Sequence, residues 1–193
     1  GFEIPEVMSI AFDGDKMMRL PYPAGIFLCR KDLQRLIARK VGYIGGNEDD
    51  TLSGSRSALA PVMASVLFRL WGRKGQREYV KKCLDARDRL AELIRIRLPW
   101  ATVFPFSPSV NLLPVEFRFD ETNDEIPKEF LDDKGLLEGY HLRKDFFPSN
   151  PTDPQSCPRI VYKLCIMPHL IPHLETFIED MAAAKRLWDS RKD

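Results

Sequence analysis

The order of apolar and polar positions divides this chain into short strands followed by long helices, and then into a second mixture of both. Residues 7–12 (Val-Met-Ser-Ile-Ala-Phe) and 24–29 (Ala-Gly-Ile-Phe-Leu-Cys) are short runs of apolar and β-favouring side chains. Each predicts a strand. Between them, Leu20-Pro21-Tyr22-Pro23 excludes a helix and makes a rigid turn, since proline fixes φ and removes a backbone donor. Leu33, Leu36 and Ile37 then recur at helical spacing. The polar stretch 42–57, with four glycines, reads as a long loop, a kind of segment that often carries function.

Residues 58–71 are apolar almost throughout, with Pro61 placed where a first helical turn accepts it. They predict a helix covered on most sides. Gly72 and Gly75 mark a break. Residues 76–97 then predict an amphipathic helix, with Val80, Leu84, Leu90 and Ile94 on its apolar side and its run of charges on a solvated face. After Pro99 the texture changes. Strands are expected over 102–106, 110–119, 139–147 and 159–167, and a short helix over 127–137. A loop with four prolines fills 148–158, and an amphipathic helix over 171–188 closes the chain. Two domains follow from this pattern: residues 1–99, with two strands and long helices, and residues 100–193, a compact α+β domain. No internal repeat is visible.

Composition narrows the class. The 193 residues are 44% hydrophobic and 30% charged, as in a globular protein with a sizeable core. The net charge of +1 gives no electrostatic reason to expect nucleic acid or an anionic membrane as partner. No apolar run approaches the ~20 residues of a membrane span. Glu3 and Glu6 interrupt any signal-peptide pattern, and Gly1 in place of Met points to a processed, trimmed or partial chain. Cys29, Cys83, Cys157 and Cys165 form no C-x-x-C pair and are scattered through apolar segments, which reads as a reduced, cytoplasmic protein. His169 and His173 are spaced i, i+4 but separated by Pro172, and His141 lies apart, so no metal site is expected and His169 reads as a turn residue.

The candidate chemistry begins at Lys16, in Ser9-Ile10-Ala11-Phe12-Asp13-Gly14-Asp15-Lys16-Met17. On pattern alone, the commoner reading is a surface lysine after a turn. A lysine behind a short strand and a glycine turn can also be held away from water, and desolvation favours its neutral, nucleophilic form. Further on, Thr51-Leu52-Ser53-Gly54-Ser55-Arg56 combines small hydroxyl side chains with a glycine. Such a loop can offer N–H and O–H donors to a phosphate, and an arginine can pair bidentately with a carboxylate.

These segments, in this order, resemble the pyridoxal-phosphate (PLP) group II amino-acid decarboxylases, with bacterial histidine and plant serine decarboxylases as the nearest relatives in pattern. The family runs from a strand through Ser-Gly-His-Lys and a proline-containing turn to a Cys-Gly-Val/Ile strand. Here the stretch ends in Asp13-Gly14-Asp15-Lys16 and continues to Pro21-Tyr22-Pro23-Ala24-Gly25-Ile26. The family's Tyr-Ile-Gly/Ser…Thr-Ile-Ser-Gly-Ser-Arg corresponds to Tyr43-Ile44-Gly45…Thr51-Leu52-Ser53-Gly54-Ser55-Arg56, with Ala60-Pro61 downstream. A third, weaker match is Val161…Met167-Pro168-His169.

The resemblance implies PLP fold type I, the aspartate-aminotransferase-like α/β fold. Residues 1–99 would be the end of its PLP-binding large domain with a connecting helix, and 100–193 its small α+β domain. It implies PLP as cofactor, Lys16 as the Schiff-base lysine, and loss of the carboxyl group from Cα of an L-amino acid. Asp13 and Asp15 would border the cofactor, while Thr51, Ser53 and Ser55 would contact its phosphate and Arg56 the substrate carboxylate. It further implies a homo-oligomer, since fold type I sites lie at a dimer interface.

Two departures shape the expectation. Asp13 and Asp15 stand where the family has Ser and His, and ionised carboxylates accept hydrogen bonds where those residues can donate. A carboxylate near a phosphate repels it, and one near Lys16 favours the ammonium form. The family's pyridine-nitrogen aspartate and ring-stacking residue also lie further upstream than the fifteen residues before Lys16 allow. An N-terminal half, as a separate chain or a further segment, is therefore the expected partner. Two other readings remain open on the residues: a PLP-fold subunit that has become a non-catalytic scaffold, and a PLP lyase that breaks a different bond.

Overall fold

The two apolar runs around the proline-rich turn pair with each other. In the computed structural model, β1 (Ser9–Asp13) and β2 (Gly25–Cys29) form an antiparallel ribbon with Ala11 opposite Phe27 and Asp13 opposite Gly25. The residues described are 1–36, 38–40, 48–49, 57–120, 125–132, 134–140, 142–150 and 153–191. The helix expected around Leu33 and Leu36 is the single turn α1 (Lys31–Gln34). β3 (Arg39–Lys40) and β4 (Glu48–Asp49) form a minimal antiparallel pair. The apolar stretch is helix α2 (Leu59–Leu70), and α3 (Gly72–Arg97) follows it with Gly72 in the left-handed region at φ 58°. Only glycine adopts that backbone freely, which is why the break falls there.

By contact the chain forms two units, Gly1–Arg77 and Glu78–Asp193, divided within α3. In the second unit a four-stranded antiparallel sheet has the order β5-β6-β8-β7. Its strands are β5 (Ala101–Val103), β6 (Leu112–Phe117), β7 (Lys144–Asn150) and β8 (Asp153–Cys165). The proline-rich segment expected as a loop therefore carries strand on both sides, with Pro148 opposite Pro158 across the β7–β8 pair. The expected strand start at Gly139 is instead a 3₁₀ turn, Glu138–Tyr140. α4 (Lys128–Leu131) is a single turn, and α5 (Leu174–Asp189) closes the chain after a 3₁₀ segment, Pro168–His173, that holds His169.

Period-two alternation puts Leu113, Val115 and Phe117 on one face of β6. They share a buried cluster with Leu90, Ala91 and Ile94 of α3 and with Phe177, Ile178 and Met181 of α5. Phe117 is ringed by Trp100, Tyr162 and Phe177 at centroid distances of 5.9, 5.8 and 6.4 Å.

α3 buries a different stripe from the one expected. Its buried positions are Cys83, Ala86, Arg87, Leu90, Ala91 and Ile94, so one member of the charge run is inside. The Arg87 guanidinium donates to the carbonyls of Ser107 (3.1 Å), Pro108 (3.3 Å) and Val110, and also to Asp88 (2.7 Å). A buried charge is tolerated when its donors are satisfied in this way. The helix α2 also departs from expectation: no residue of it is buried. Cys83 is the buried member of the free thiols Cys29, Cys83 and Cys165. Among the described residues no helix is long and apolar enough to cross a membrane.

Candidate active site

β1 ends at Asp13, and the chain turns back through residues 14–24 to begin β2. The turn is built on Gly14. Its N–H donates to the Ala24 carbonyl at 2.6 Å, and its carbonyl accepts from the Leu20 N–H at 2.9 Å. A Cβ at this position would stand 2.8 Å from Leu20 Cδ1 and 2.9 Å from the Ala24 carbonyl oxygen. Backbone on one side and a buried leucine on the other leave no room for it, so the closeness of the turn requires glycine. The Lys16 N–H donates to the Asp13 carbonyl (3.3 Å) and the Arg19 N–H to the Lys16 carbonyl (2.9 Å).

This turn is tied to the α2–α3 junction. Gln76 Nε2 donates to the Met17 carbonyl at 2.9 Å. Arg19, itself at φ 57°, lays its guanidinium 3.7 Å from the centroid of the Trp71 ring. That spacing is a close cation–π contact. Ahead of β1, Arg30 gathers the first residues by donating to the carbonyls of Phe2, Ile4, Pro5 and Val7. Sequence reasoning passed over Arg19, Arg30, Trp71 and Gln76, because nothing in local pattern shows which distant carbonyl or ring a polar side chain will meet.

Lys16 is presented outward. Its side chain is 66% exposed, and its ammonium pairs with the Asp13 carboxylate. The exclusion from water that the sequence suggested for this lysine is not found here, because the turn closes a two-stranded ribbon that offers no cover. The second part of the expected site, Thr51, Ser53, Ser55 and Arg56, lies outside the described residues, as does His141. The structure therefore brings together Asp13, Asp15 and Lys16 and says nothing of the others. Among the described residues no group of three His, Cys, Asp or Glu side chains is placed to hold a metal ion.

The donor chemistry of the turn can be tested against PLP. An outward amine on a rigid turn fits covalent attachment to an aldehyde. Asp13 and Asp15 supply acceptors, which suit a cation or a hydroxyl and do not suit a phosphate.

The second unit has its own electrostatic centre. Glu116 points away from the Val115–Phe117 face and is fully buried, accepting from Arg118 Nε (2.8 Å) and Arg159 (2.5 Å). Burial pushes its pKa up, but the two guanidiniums outweigh burial and hold it below the usual carboxylate range. Tyr140 donates to Asp180 at 2.6 Å, and burial, reinforced by that carboxylate, raises its phenol pKa. Tyr162 is also raised by burial, and its hydroxyl accepts from the Ile126 N–H at 2.9 Å. These groups bind parts of the unit to each other.

Comparison with known proteins bears on the family and the fold. A histidine decarboxylase from Mesorhizobium japonicum is 32% identical over 108 residues, 56% of this chain and 29% of that protein. A tryptophan decarboxylase from Clostridium sporogenes is 29% identical over 170 residues, 88% of this chain and 35% of that protein. The chain is a relative of the group II PLP decarboxylases. It matches a C-terminal-like part of these decarboxylases, and the matched region spans about a third of the length of the curated relatives. The solved structure of a Lactobacillus brevis glutamate decarboxylase superposes with a TM-score of 0.76 at 23% identity, covering 97% of this chain and 42% of that one. The fold is thus that of a partial PLP fold type I protein, as the resemblance of the decarboxylase motifs implied. No family model matches the chain.

Proposed function

We propose that this chain is the C-terminal part of a PLP-dependent amino-acid decarboxylase, in which Lys16 binds the cofactor covalently. The observation that carries the reading is the Gly14 turn, which presents Lys16 outward at the end of the stretch that resembles the family's lysine motif. Relatedness to decarboxylases over most of the chain supports it. When bound, PLP supplies an electron sink for the charge left at Cα as the carboxyl group departs. The chain's own residues have narrower tasks. Gly14, Gln76 and the Arg19–Trp71 contact fix the turn that carries Lys16. Asp13 and Asp15 border the cofactor near the lysine. Thr51, Ser53 and Ser55 would hold the phosphate, and Arg56 the carboxylate of a small L-amino-acid substrate.

In this reading residues 1–99 close the PLP-binding domain and include its connecting helix α3, and 100–193 form the small domain. The partner is the upstream part of the same enzyme, supplying the aspartate for the pyridine nitrogen and the residue that stacks on the ring. The greater length of the relatives supports this, and so does α2, whose Phe68 and Leu70 are 58% and 74% exposed. Apolar patches of this kind mark surfaces that other protein covers. We assign a homo-oligomer because the resemblance implies a fold type I site, which lies at a dimer interface. The free thiols suit a reducing compartment, and we place the enzyme in the cytoplasm.

The test uses full-length enzyme loaded with PLP and treated with borohydride, with CO2 release measured alongside. Peptide mass spectrometry is expected to find the pyridoxyl label on Lys16, and Lys16→Ala to abolish both label and turnover. Turnover with the label on another lysine would overturn the assignment.

A further inference from the structure

The Asp13–Lys16 ion pair assigns a role that the reading above leaves open. Of the two carboxylates that flank the lysine in sequence, the structure engages Asp13. The reason is geometric. Asp13 is the last residue of β1, and the Lys16 N–H bonded to the Asp13 carbonyl folds the chain so that positions i and i+3 share one side of the turn. Asp15 lies between them in the turn. The other charged group of the turn, Arg19, is drawn onto Trp71, and the α3 side chain bonded to the turn is the neutral Gln76.

We propose that Asp13 is a positioning residue that holds the Lys16 amine as a tethered ammonium in the cofactor-free protein, so that Asp13 and the cofactor aldehyde compete for the same nitrogen. This rests on Lys16 being the cofactor lysine. An ammonium in an ion pair has no lone pair to donate. To bond with an aldehyde carbon, the nitrogen must leave the carboxylate and release a proton to solvent. The carbonyl oxygen then departs as water when the C=N bond forms. Asp13 therefore sets how readily Lys16 is captured, and since the pair is exposed, salt loosens it. The family's serine at this place cannot exert that charge.

The experiment reads the amine without cofactor. Full-length apo enzyme is pulse-labelled with acetic anhydride at fixed pH, and acetylation of Lys16 is counted against that of the exposed Lys82 by mass spectrometry. Asp13→Asn is expected to raise Lys16 labelling about two- to five-fold, the range of an exposed ion pair. Asp13→Glu is expected to remain near wild type, and Asp15→Asn to leave the ratio unchanged. Raising salt is expected to raise Lys16 labelling in wild type and to have little effect in Asp13→Asn. A general loosening of the fold would raise Lys82 as well and would show as a flat ratio. Equal Lys16 labelling in wild type and Asp13→Asn, or a salt response that survives Asp13→Asn, overturns the proposal. Because the labelling needs no PLP, its failure is distinguishable from failure of the borohydride test, which judges the cofactor role of Lys16 itself.

Discussion

Phe117 in the second unit and Phe68 in the first both sit in regular elements, yet Phe117 has no exposed surface while most of Phe68 is in water. The contrast extends to their neighbours. Around Phe117, a sheet face and two helices supply Leu113, Val115, Ile94, Phe177 and Met181, and all are buried. Around Phe68, α2 carries Leu59, Val62, Val66 and Leu70, and all are exposed. The second unit has the strands and helices to enclose its own apolar surface. Among its described residues the first has two small antiparallel pairs, a single helical turn and an apolar helix, too few layers to enclose anything large. Among the described residues its well-buried positions near the candidate site are Gly14, Leu20 and Ala24, and these build the turn rather than a core.

The largest expected effect tests the enclosed side of that contrast. Phe117→Ala removes a ring that touches three others and leaves a cavity among rigid neighbours. It is expected to cost about 3–5 kcal/mol in denaturant unfolding of the second unit. A cost below about 1 kcal/mol would mean that this unit is no better enclosed than the first.

A smaller effect concerns the polar side of the same sheet. The folded-state pKa of Glu116 lies below that of an unfolded glutamate, so its ionised form is what the fold stabilises. That stabilisation is present above the unfolded value of ~4.3 and is lost as pH falls through the lower folded value. Glu116→Gln keeps the shape and removes the charge. It is expected to cost about 1–3 kcal/mol at neutral pH and to flatten the acid limb of stability against pH. Urea unfolding from pH 3 to 7 checks both, and an unchanged acid limb would assign that limb to other carboxylates.

These residues also show what the sequence could and could not reveal. Strands β1, β2 and β6 and the long helices were legible because apolar spacing is a local property. The stripe of α3 was misread because Arg87 occupies an apolar position, flanked at helical spacing by Cys83, Leu90 and Ile94, and its carbonyl partners lie about twenty residues away. The β7–β8 hairpin was hidden by its prolines, which suggest a loop by composition yet stand opposite each other across a strand pair. At the candidate site, the glycine turn before Lys16 was legible through the family's motif, and the capacity of Asp13 to pair with the lysine through its charge. The exposure of Lys16 was not, because burial depends on what else packs on the turn.

The smallest effect gives the sharpest comparison, because it measures one substitution in two contexts. Val62 lies on α2 and is 56% exposed. Val62→Thr keeps the branched shape and exchanges a methyl for a hydroxyl. In this chain the hydroxyl meets water, and stability is expected to change by no more than about 0.5 kcal/mol. In the full-length enzyme, where the proposed upstream part covers α2, the same hydroxyl loses its water and meets apolar neighbours. The cost is then expected to rise to about 1–3 kcal/mol. Unfolding both proteins in urea gives the difference directly. A negligible cost in both would make α2 a true surface helix and remove its support for an upstream partner. A large cost in the shorter chain would mean that the first unit already encloses its helix, and the contrast between Phe68 and Phe117 would lose its meaning.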